Sequence, residues 1–147
     1  MSVGIQIEWQ GAEAFRKAMR GLANPDIDDL LNRVGAEVES QTRRRISDEK
    51  TDPEGNPWPD WSDRYKKTRE AQHSLLESEG NLLDTIQYLV GNNEVEVGSN
   101  LVYAAHQFFG SEGDGGIPAR QALGISDEND ADIQAIIEDW LEEQMAV

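Results

Sequence analysis

The sequence predicts an α+β fold, a small antiparallel sheet packed with helices. Two kinds of pattern predict it. Ile86, Tyr88 and Val90, then Val95 and Val97, alternate with other residues on either side of Gly91-Asn92-Asn93. Strict alternation is the mark of a half-buried strand, and a Gly/Asn segment between two such runs is a hairpin signal. Apolar residues recur at spacings of three and four over 27–46 and again over 133–145, the stripes of two amphipathic helices.

Taken in order, Val3, Ile5, Ile7 and Trp9 alternate with small or polar residues, so residues 3–9 read as an N-terminal strand. Ala12, Phe15, Met19 and Leu22 then form the stripe of an N-terminal helix. Asn24-Pro25-Asp26 is a helix start: Asn caps, Pro fits the first turn, and Asp favours the positive helix end. Ile27, Leu30, Leu31, Val34 and Val38, continued by Thr42 and Ile46, predict a long helix over about 26–46. Residues 47–62 hold Pro53, Pro57 and Pro59, and read as a mobile loop pinned by Trp58 and Trp61. A polar helix is expected over 63–72, then a mobile segment over 71–80, with Leu82, Leu83 and Ile86 leading into the hairpin at 85–98. Tyr103–Phe109 reads as a short helix ended by Gly110, and the glycine-rich stretch 110–116 as a second mobile loop. Ile117–Ile125 reads as a further strand, with Pro118 tolerated at its start or on an edge. The chain closes on an amphipathic helix through Ile133, Ile136, Ile137, Trp140, Leu141 and Met145. With 147 residues and no visible boundary or repeat, a single domain over 1–147 is expected.

Composition narrows the function classes. Cysteine is absent, which removes disulfides, thiolate metal sites and a Cys nucleophile, and is compatible with intracellular assembly. No apolar run approaches the roughly 18–20 residues of a membrane span, and no signal peptide is visible. Net charge is −16, which disfavours adhesion to nucleic acid or anionic lipid over most of the surface. Charge is unevenly distributed. Every Lys and Arg except Arg120 falls between Arg16 and Arg69, while residues 126–147 contain acids and no base. That acidic end is a solvated helix face, an adaptation to high salt, or a surface that DNA passes without sticking. Arg43-Arg44-Arg45 near the end of the long helix either oppose the negative helix terminus or make a basic patch for DNA or an acidic subunit.

No catalytic pattern emerges. His73 and His106 are the only histidines and lie far apart, so a zinc site is not expected. No Gly-x-Ser-x-Gly elbow and no phosphate-binding Gly-x-x-x-x-Gly-Lys loop is present. Asp52, Glu54, Asp60 and Asp63 do not fit a calcium-loop pattern. No catalytic, cofactor-binding or metal-ligating residue is therefore assigned. His106, beside Tyr103 and Phe108, reads as a packed or interface histidine.

Seven pieces stand in a telling order: Arg43-Arg44-Arg45-Ile46, Asp52-Pro-Glu-Gly55-Asn56-Pro-Trp58, Leu82-Leu83-Asp-Thr-Ile86, Val97-Gly98-Ser99-Asn100, Tyr103-Ala-Ala-His106-Gln107-Phe108, Ile117-Pro118-Ala119-Arg120 and Leu123-Gly124-Ile125. The set resembles the virion morphogenesis (tail completion) family of Mu-like and related tailed bacteriophages, over roughly residues 26–126. The family commonly continues Ile-Pro-Ala-Arg with Pro-Phe, where Gln121-Ala122 stand here, and ends His-Gln-Phe in a Gly pair, where Phe109-Gly110 stand. The resemblance implies a non-enzymatic structural subunit. It implies action late in assembly at the tail or head–tail neck of the virion, as a homo-oligomeric ring with a hexamer as one candidate size. It further implies assembly in the host cytoplasm and tube, sheath or connector proteins as partners. DNA at most passes through a channel, and neither a cofactor nor a membrane is involved. The candidate assembly interface is Arg43, Arg44, Arg45, Trp58, Tyr103, His106, Phe108, Ile117 and Arg120. Two other classes remain: a nucleic-acid-binding module using the basic segment 43–69, and a small hydrolase with a spatially assembled site.

Overall fold

The computed structural model describes residues 3–5, 12–22, 24–60, 81–101, 103–110 and 118–146. Within them lie β1 (Val3–Ile5), α1 (Ala12–Met19), α2 (Ile27–Arg44), a π-helical turn (Arg45–Glu49), α3 (Asn81–Thr85), β2 (Gln87–Val90), β3 (Val95–Ser99), α4 (Ala104–Phe109) and α5 (Asp127–Met145). The strands form one antiparallel sheet in the order β1-β3-β2. Tyr88 stands opposite Val97, Val90 opposite Val95, and Ile5 opposite Val97 on the other side. The α+β class is the one the periodicities predict.

The long helix starts two residues later than an Asn24 cap with Pro25 in the first turn suggests. Asp26 is the cap, its carboxylate accepting from the Asp29 N–H at 3.2 Å. Asp28 and Asp29 sit at the positive helix end and Arg43 and Arg44 at the negative end, as the helix dipole favours. Leu30, Val34 and Val38 are buried against Val97 of the sheet and against Ile133 and Trp140 of α5. Trp140 also donates its indole N–H to the Asp26 carbonyl at 3.1 Å and meets the Phe15 ring at 5.9 Å. Ser126 caps α5 by accepting from the Asn129 N–H at 3.0 Å.

Gly35 sets how closely α2 approaches the sheet. A Cβ there would lie 2.5 Å from the Tyr88 ring and 2.8 Å from Val95, so only glycine permits this packing.

Beyond Arg44 the helix widens. The Lys50 N–H reaches the Arg45 carbonyl at 2.8 Å, and Lys50 itself is left-handed at φ 56°. Arg45 and Ile46, at the start of this turn, are both buried. The chain then turns sharply at Gly55 (φ 90°), with Thr51 bridged to Pro57 and the Trp58 N–H bonded to the Lys50 carbonyl at 3.1 Å. Trp58 is thereby delivered into a second core with Ile46, Ile86, Phe108, Ala122 and Leu123.

Three expectations need correction. The hairpin strands are 87–90 and 95–99, because Thr85 ends α3, whose Leu82 carbonyl accepts the Thr85 hydroxyl at 2.9 Å. The long helix ends at Arg44 and passes into the π turn. Residues 118–125 are not a strand. The carbonyls of Gln121, Ala122 and Gly124 are taken by side-chain donors from elsewhere in the chain, and Gly124 at φ 149° departs from strand geometry. The expected helix over 63–72, the segment 71–80 and nearly all of the glycine-rich stretch lie outside the described residues, as does the end of the strand expected over 3–9.

Candidate assembly surface

Residues 118–125 form a strap across the second core, and four of the candidate interface residues are occupied with it. Arg120 is buried, donating Nε–H to the Pro59 carbonyl at 2.8 Å and an NH2 hydrogen to the Asp60 carbonyl at 3.2 Å. Its own backbone N–H reaches the Gln107 carbonyl at 3.2 Å, tying the strap to α4. The Trp58 indole N–H donates to the Gln121 carbonyl at 3.0 Å. Arg45, only 2% exposed, donates to the Ala122 carbonyl at 2.8 Å, the Gly124 carbonyl at 2.9 Å and the Asn129 side-chain oxygen. Burial pushes the Arg45 guanidinium below its ordinary value, opposed by the fields of Glu49, Glu54 and Asp52. An arginine nevertheless stays charged at neutral pH. Phe108 is fully enclosed in the core under the strap.

The structure thus divides the predicted set. Arg45, Trp58, Phe108 and Arg120 face inward and hold the chain together. Arg43, Arg44, Tyr103 and His106 reach the surface, where Tyr103 and the unpredicted Phe109 are 43% and 56% exposed. Ile117 lies outside the described residues. Arg43-Arg44-Arg45 is therefore not one continuous patch. Consecutive helical residues point about 100° apart, a signal available in the sequence.

The exposed arginines have neighbours in their own chain. Arg43 donates to the Ile86 carbonyl at 2.7 Å and pairs with Glu39 at 3.2 Å, while its Nε is enclosed without an acceptor. Arg44 is 51% exposed and only 3.8 Å from Glu37, a loose pair. These two arginines, with Ala36, Glu39, Ser40 and Tyr88, line a groove of about 300 Å³ on the outer flank of α2. Sequence reading missed Ser40 and Tyr88 as site residues, because Tyr88 reads as a core position of the hairpin and Ser40 as ordinary helix surface.

The outer face of α5 is different. Asp127, Glu128, Asp132, Glu138, Asp139 and Glu142 are exposed, and among the described residues none forms an ion pair within 4.0 Å. Only Glu143 has a base: Arg33 donates to it at 2.7 Å, which holds its carboxyl below the usual range. The last turn of α5 carries no base to balance the negative helix end. Among the described residues no group of three or more His, Asp or Glu is arranged to hold a metal, and no helix is long and apolar enough to cross a membrane.

The model of the phage virion morphogenesis family matches residues 8–142. The chain belongs to the phage virion morphogenesis family. It is also 31% identical, over 144 residues, to the Mu-like prophage FluMu G protein 2 of Haemophilus influenzae, a match that spans 94% of this chain and 96% of that relative. No solved structure matches it. Family membership gives the chain a structural part in phage virion morphogenesis.

Proposed function

We propose that this family member is a non-enzymatic structural subunit that completes the tail at the head–tail neck of the virion, acting there as a homo-oligomeric ring. The observation that carries the reading is the segregation of charge on the described surface. One helix face holds carboxylates without bases, and Arg43 and Arg44, which reach the surface, lie on another helix. Unlike faces on one subunit support heterologous, head-to-tail contacts, the kind that closes rings. Exposed Tyr103 and Phe109, beside the start of the glycine-rich stretch, offer apolar area for tube, sheath or connector proteins. DNA meets at most an acidic wall that it can pass without adhering.

The nucleic-acid alternative is less well supported. Arg45 is turned inside, and Arg43 and Arg44 each have a carboxylate beside them. The test is the mass of the purified full chain in solution, with a parallel infection by phage lacking the gene. A discrete ring and unfinished tails are expected. A monomer under every condition beside normally matured tails would overturn the reading.

A further inference from the structure

We propose that the groove on the outer flank of α2 receives the exposed face of α5 from a second copy of this chain, head to tail. The inference rests on the ring reading and goes further by naming the two faces. The groove lining includes two small residues, Ala36 and Ser40, one helical turn apart. Tyr88, Arg43 and Arg44 line it as well. The exposed stripe of α5 carries the matching pattern: Ala131 and Ala135, also one turn apart, flanked by Glu138, Asp139 and Glu142. Small residues on both sides permit helix axes to approach at the near end of the usual 8–10 Å range. That seam would bring the α5 carboxylates to Arg44, whose own partner Glu37 stands 3.8 Å away.

Charge supports this occupant over an unrelated one. The α5 face lacks bases through its last turn, and these carboxylates gain from a cation at the negative helix end. Glu39, the one acid in the groove, is already matched to Arg43. The α5 face lies opposite the side that holds Ile133 and Trp140 against α2, so a subunit's own α5 cannot enter its own groove. The contact is therefore between copies, and each copy keeps one unused face for the next.

The experiment uses two full-length variants at exposed positions, Ser40→Trp, which fills the groove, and Ala135→Trp, which blocks the α5 seam. Unchanged circular dichroism checks that each folds. Light scattering at about 0.1 M salt, where the screening length is about 10 Å, is expected to show a ring for the unaltered chain and a monomer for each variant. An equimolar mixture of the two variants should give a 1:1 dimer and nothing larger, because only one intact groove and one intact α5 face remain. Arg44→Glu should also dissociate the ring, and mixing it with Glu138→Arg should partly restore assembly. Rings that persist in both Trp variants would overturn this pairing of faces and leave the ring reading standing. Two monomeric variants whose mixture forms no dimer would overturn it as well. An unaltered chain that is monomeric at every salt concentration would remove the ring reading itself.

Discussion

The two cores of this protein are built by different physics. The first joins α2, β3 and α5 through Leu30, Val34, Val38, Val97, Ile133 and Trp140, side chains that repeat at helical or strand period. The second gathers Ile46, Trp58, Ile86, Phe108, Ala122 and Leu123 from a π turn, a proline loop, a short helix and an irregular strap. In the first, regular backbone bonds satisfy the main chain and apolar shape decides the fit. In the second, guanidinium and indole donors bond the carbonyls that no neighbouring strand reaches. Buried carbonyls must be paired, so these donors replace a ladder. Regular elements thus fail by loss of packing, and strapped elements by loss of a donor.

The largest expected effect tests the strap. Arg45→Met keeps most of the side-chain volume but leaves the oxygens of Ala122, Gly124 and Asn129 without their donor. At about 1–3 kcal/mol per orphaned group, with incomplete additivity, urea unfolding should show a loss of about 3–5 kcal/mol. A loss below about 1 kcal/mol would erase the distinction between the two cores. Gly35→Ala tests the first core by shape alone. The helix itself gains about 1 kcal/mol from alanine, yet the clash with Tyr88 and Val95 should give a net loss of about 1–2 kcal/mol in the same measurement.

Two milder substitutions sharpen the contrast. Ile133→Val removes one buried methylene and should cost about 1 kcal/mol through packing. Trp58→Phe should cost a little more, about 1–2 kcal/mol, because it adds an unpaired Gln121 carbonyl to the lost volume.

The smallest effect is a pH dependence at the tip of the proline loop. Partial desolvation raises the Asp52 pKa, but hydrogen bonds from the Asn56 backbone and side chain and from the Glu54 and Gly55 backbone outweigh it, so the value falls below the ordinary one. A carboxyl depressed in the folded state contributes stability above its unfolded pKa and loses that contribution as pH falls through its folded pKa. Carbon-detected NMR titration should therefore place Asp52 below the usual carboxylate range, with the turn loosening only in acid. Asp52→Asn should abolish that acid-limb change.

The regular elements were legible because periodicity is local. Leu30, Val34 and Val38 announce the inner face of α2, and Ile133 and Trp140 that of α5, whatever they pack against. Family membership was legible too, from short motifs in a fixed order. The roles of the motif residues were not. Arg45 and Arg120 look like surface charges in a list of residues, and their burial follows only when the π turn and the strap bring carbonyl oxygens to them. Gly35 shows the same limit, since its need for a missing side chain arises from Tyr88 and Val95, more than fifty residues away in the chain.

By itself, the sequence determined the two long amphipathic helices, the hairpin and the uneven charge, because these are written in spacing and composition, and it pointed to the family through short motifs in order. Only the tertiary structure decided which arginines are structural and which are exposed, and that residues 118–125 form a strap and not a strand. The physical reason is that a buried polar group is tolerable only with partners in place, and those partners come from segments that meet only in the folded chain.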